Sequence, residues 1–174
     1  MPFFLMPPAL SAPQSKAKPK PAATAPAPAP KMDGDWSLSA SESDSLPVHI
    51  EGAIANMNFL QKQLWKHKLA KACLSYDKLF ILTGFANSIS FGKENPINIP
   101  ADSTSADWTR SDDEKFKASL QKTPTGFVLI LAGDGYTLNE HMSVEGDTMT
   151  VTTSYVNPKL PDTFSYKQVY KHND

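Results

Sequence analysis

The chain has 174 residues, 17 basic and 18 acidic, with a formal net charge of −1. That length suffices for one domain with its own core plus an appendage, and the charge balance makes no electrostatic case for nucleic acid as a partner. A single cysteine, Cys73, excludes an intrachain disulfide and a thiolate metal cluster; within "LAKACLSY" it reads as a small core residue.

The charge is uneven along the chain. Residues 1–32 carry Lys16, Lys18, Lys20 and Lys31 and no acid, leaving 13 basic residues against 18 acids in the remainder. The opening "MPFFLMPPALSA" is apolar but short and broken by proline, so it cannot span a bilayer. Ala9, Leu10 and Ser11 offer small residues at a cleavage-like position, which makes this a truncated export signal to the bacterial periplasm or cell envelope. The alternative is an apolar terminus of a cytoplasmic protein. "APQSKAKPKPAATAPAPAPK" follows, where proline removes amide donors and fixes φ. Residues 1–32 are therefore expected to be a signal plus a disordered, polyproline-like linker, and residues 33–174 the folded domain.

In "DGDWSLSASES", Trp36, Leu38 and Ala40 alternate with serines, predicting a half-buried first strand. The one long helical pattern is next: Ile50, Ile54, Met57 and Leu64 recur at spacings of three, four and seven, with Pro47 fit for a first turn. This stretch is expected to cap a core as one bent helix or two short ones. Beyond Cys73 the chain reads as nine strands from "DKLFILTG" to "TFSYKQVYK", separated by turn signals such as Gly84, Gly133–Gly135 and "EGD" at 145–147. With no helix between them the sheet should be antiparallel. Ten strands in a meander of short connections are expected to close into an up-and-down barrel, since closure removes edge strands.

Gly34–Asp35–Trp36 at the start, a helical segment after the first strand and "YKQVYK" at the end resemble the calycin barrels, above all the fatty-acid- and retinoid-binding proteins, over residues 33–174. The layout is also similar to that of a group of uncharacterised bacterial exported proteins. The resemblance implies a mainly β, lipocalin-like barrel around a hydrophobic ligand. It implies inward roles for the amide of Gln168 and the aromatic Tyr170, as at the end of the retinoid-binding branch. Two departures stand out: "ESDSLP" replaces the family's aromatic-acidic motif before the first helix, and Gln168 stands where the fatty-acid branch has arginine.

Alternation in the last strand puts Phe164, Tyr166, Gln168 and Tyr170 on one face, and Lys167 and Lys171 on the other. A buried primary amide left unpaired costs about 1–3 kcal/mol, so Gln168 needs a protein group, a water or a ligand. An uncharged amide suits a hydroxyl, carbonyl or ester better than a carboxylate. Gln168, Tyr170 and Tyr166 are therefore candidate ligand contacts, or else Gln168 bonds across a filled barrel. Arg110, the only arginine, shares a face with Trp108. The two could reach a ligand, or Arg110 could pair with Asp112, Asp113 or Glu114 at a strand end. Trp36 reads as a core residue closing one end.

No histidine pair has metal-ligand spacing, and Glu140 and His141 fall on opposite faces of a strand. "GDG" at 133–135 fits a hairpin and not a phosphate loop, and there is no nucleophile elbow. The expectation is a non-catalytic, monomeric binding protein for a small hydrophobic ligand, with no cofactor, no metal and no transmembrane segment. The alternative is a filled-barrel structural or interaction protein of the cell envelope.

Overall fold

Trp36 anchors the first strand. In the computed structural model, which describes residues 31–83, 86–100, 104–160 and 162–173, its ring is 1% exposed and its indole N–H donates to the Met32 carbonyl at 3.0 Å. The expected signal and linker lie almost wholly outside these residues; Met32, at the edge of the tail, is buried. Strand β1 (Gly34–Leu38) is shorter than the serine alternation suggests. The Ser39 hydroxyl donates to Glu42 and the Ser43 hydroxyl to the Ser39 carbonyl, so these serines form a turn that takes the chain out of the sheet, and Ala40 lies in that turn.

The helical segment forms two helices. Helix α1 (Leu46–Ala53) has Pro47 in its first turn, and α2 (Phe59–Ala72) opens with a capping box in which Asn58 and Gln61 bond reciprocally. The break between them resets the helical phase. Ile50 and Ile54 are buried as expected, but Leu64 is 52% exposed, and α2 instead buries Trp65, Leu69 and Ala72. Leu69→Asp is therefore expected to destabilise the protein by about 2–5 kcal/mol through lost packing and a buried unpaired charge. Leu64→Asp should change stability by less than about 0.5 kcal/mol, as at exposed sites generally. Urea unfolding midpoints of the two variants check this, and equal effects would remove α2 as a cap.

Nine strands follow: β2 (Lys78–Leu82), β3 (Ala86–Phe91), β4 (Ile97–Pro100), β5 (Ser105–Thr109), β6 (Lys115–Thr123), β7 (Gly126–Ala132), β8 (Thr137–Glu145), β9 (Thr148–Val156) and β10 (Phe164–His172). All pairings are antiparallel, in the order β4-β3-β2-β1-β10-β9-β8-β7-β6-β5. The meander is thus the expected ten-stranded barrel, nearly closed: among the described residues no ladder joins β4 to β5. Strand β4 is four residues long, bracketed by Pro96 and Pro100, each of which removes an amide donor. Side chains bridge the seam instead. The Trp108 indole donates to the Asn95 carbonyl at 2.8 Å, and the Glu94 carboxylate accepts from the Ser111 amide and hydroxyl, both at 2.7 Å.

Candidate functional site

The inner wall is built by period-2 alternation. On β10, Phe164, Tyr166, Gln168 and Tyr170 point inward and are buried, and Ser165 and Lys167 are exposed. Val169, on the outer face, is also buried: the turn after β1 covers it, with Ser39 N–H donating to the Val169 carbonyl at 2.8 Å and Val169 N–H donating to the Ser43 hydroxyl at 2.9 Å.

The inward polar groups converge on one irregular stretch, the connection from the end of α2 into β2. Tyr166 Oη donates to the Leu74 carbonyl at 2.8 Å, Gln168 Nε2 to the Ser75 hydroxyl at 2.6 Å, and Tyr170 Oη to the Tyr76 carbonyl at 3.0 Å. Arg110, on the loop after β5, extends the clamp by donating to the carbonyls of Ala72 at 3.1 Å and Lys71 at 3.0 Å. These are the last carbonyls of α2, which have no partner within the helix. The remaining guanidinium donors reach Asp112 at 2.9 Å through Nε and again through Nη2, and Glu114 at 3.2 Å, while the group lies over the Phe116 ring. The bond from Arg110 holds the Asp112 carboxyl down at about 2. Arg110 thus takes the second of its two expected roles, pairing with Asp112 and Glu114 of the acidic turn, and does so from a buried position. Trp108, flanked by Phe91 and Phe116, walls the same region.

The sequence prediction passed over Glu140. As expected it faces opposite to the exposed His141, but it does so as a member of the inward row Leu138, Glu140, Met142 and Val144 on β8. It is 8% exposed. Its strand neighbours are Leu129 and Thr153, and among the described residues no side chain or backbone group bonds to its carboxyl. Burial alone pushes that carboxyl up to about 7. The signal for it was present in the alternation, where one acid interrupts an apolar face. Cys73 is 1% exposed, and desolvation pushes its thiol up to about 12, as befits an inert core cysteine.

Glu140, Arg110, Tyr166, Tyr76, Leu74 and Trp108 share a cavity of about 10 Å³. A water molecule needs roughly 10–15 Å³ measured this way, so the chamber takes at most about one. A larger groove, about 520 Å³, lies between α1 and the β9–β10 connection, lined by Val48, His49, Gly52, Leu160 and Ser165. Among the described residues no group of three metal-ligating side chains occurs, and no helix is long and apolar enough to cross a membrane.

No protein-family model and no curated protein matches the chain. Solved structures do. The "REP1-NXSQ fatty acid transporter" superposes with a TM-score of 0.51 at 17% identity, covering 82% of this chain and 96% of its own. Fatty-acid-binding protein 1 of Echinococcus granulosus does so at 0.53 and 8% identity, covering 82% and 98%. The Schistosoma mansoni fatty acid binding protein, in complex with arachidonic acid, gives 0.50 and 15%, covering 82% and 96%. At these identities the likeness is one of architecture: the chain has the calycin-like barrel fold of the fatty-acid-binding proteins.

Proposed function

We propose that this chain is a non-catalytic binding protein that holds a small hydrophobic ligand, neutral at its polar end, inside the barrel. The observation that carries this reading is how the interior is shut. Strand pairing does not close it at the helical end; the last turn of α2 and the irregular stretch from Cys73 to Tyr76 do, suspended on side chains of β10 and on Arg110. Such a closure can leave without disrupting a ladder. Pockets for small molecules measure about 300–1,000 Å³, far above the present 10 Å³, so a ligand must displace this stretch. Doing so frees the donors of Tyr166, Gln168 and Tyr170 for its polar end, beside Arg110 and Trp108. The solved structures that share the fold include proteins whose titles name fatty acids, which agrees with an apolar cargo. The same reading takes the protein as a monomer, exported on the strength of residues 1–32.

The small cavity favours a second reading, a filled barrel that serves as an interaction protein. Titration of retinol, and of a long-chain fatty alcohol, into delipidated protein separates the two. Saturable binding of one probe per chain is the expected result, with faster association for Gln168→Ala, which loses one tether of the closing stretch. Absence of saturable binding of both probes, in protein with a native near-ultraviolet spectrum, would establish the filled barrel.

A further inference from the structure

Within the barrel reading, on which this inference rests, we propose that Glu140 is the polar anchor of the ligand and that it selects cargo ending in a neutral hydrogen-bond acceptor, an ester or other carbonyl, over cargo ending in a carboxylate. In the closed barrel Tyr166, Tyr170, Arg110 and one N–H of Gln168 are bonded to protein groups, and opening would release those of β10; Glu140 is unpaired before any opening. Glu140 is more than nine-tenths buried, lines the central cavity and has no bonding partner among the described residues. An unpaired buried carboxyl is costly. Leu131, Leu138, Phe91 and Trp108 supply an apolar wall around the same cavity, with Glu140, Arg110, Tyr76 and Tyr166 as its polar residues, the usual composition of a ligand site.

Its chemistry follows from its surroundings. The groups facing it are Cys73 and Tyr76 from the stretch after α2, Arg110 from the loop after β5, and Tyr166 and Tyr170 from β10. Burial pushes the thiol and the three phenols upward. Burial opposes the charge on Arg110, but the bond to Asp112 outweighs it and the guanidinium stays charged. Of these groups only Glu140, at about 7, changes state between pH 6 and 8. Below that point its carboxyl is neutral and can donate its O–H to a carbonyl. Above it the carboxylate only accepts, and it repels both an ester oxygen and a second carboxylate.

Methyl cis-parinarate, a fluorescent ester that does not titrate, and cis-parinaric acid differ only at the polar end and make the test. The wild type should bind the ester about fivefold more tightly at pH 6 than at pH 8, the effect of one neutral hydrogen bond present only in the protonated form. At pH 8 it should bind the ester more tightly than the acid. Glu140→Gln keeps a donor at the same place without a charge. It should flatten the ester's pH profile at the tighter value and narrow the gap between the two probes. Saturable ester binding with one pH profile in both proteins would overturn the anchor and leave the barrel reading standing. No saturable binding of either probe to folded wild type would overturn both.

Discussion

Arg110→Ala is expected to lower the unfolding free energy by about 1–3 kcal/mol, the range for leaving buried hydrogen-bonding groups without a partner. The side chain is 2% exposed, and it serves three structures at once. Without it the carbonyls of Lys71 and Ala72 lose their donors, Asp112 loses its counter-charge, Glu114 keeps only that of Lys71, and Phe116 loses the plane that covers it. Arg110→Lys should recover only part of the loss, because an ammonium cannot reach two carbonyls and two carboxylates from one planar group. Lys66→Asp supplies the contrast. Lys66 pairs with Glu51 at the surface, and exposed pairs contribute about 0–1 kcal/mol. Urea unfolding followed by tryptophan fluorescence measures all three variants; comparable midpoints for Arg110→Ala and Lys66→Asp would show that the clamp is dispensable.

Glu140→Leu should act in the opposite direction and only at the higher pH. The carboxyl is raised from 4.5 to about 7 in the folded protein, so between those values the folded chain holds a proton that the unfolded chain has released. Stability then falls as pH rises from about 4.5 to 7 and is level above that, the slope following the protons bound by the unfolded minus the folded state. At about 1.4 kcal/mol for each unit of separation, the charged state costs the wild type about 3 kcal/mol at pH 8. Glu140→Leu removes that cost, so the variant should melt above the wild type at pH 8 and close to it at pH 4.5. Calorimetric scans at the two values decide it; a variant less stable than the wild type at pH 8 would mean that the carboxylate has a stabilising partner. A residue that costs this much where a leucine would fit, on an apolar row of β8, is the stability counterpart of the anchoring role proposed above.

Local rules were enough for most of the architecture. Alternation at Trp36 and Leu38, the turn chemistry between strands and the lack of any helix after Cys73 determined ten antiparallel strands in chain order with helices after the first. These are effects of period and φ/ψ that act within a few residues. The same alternation placed Tyr166, Gln168 and Tyr170 inward. What meets them there was decided across the fold. Gln168 and its partner Ser75 are 93 residues apart, and no spacing rule links two segments brought together by barrel closure. Leu64 went outward because the break between α1 and α2 reset a phase that spacing alone carried through. Glu140 shows the division most plainly: its face was legible in the sequence, but whether a partner waited on that face was not, because satisfaction of a buried group depends on every element that surrounds it.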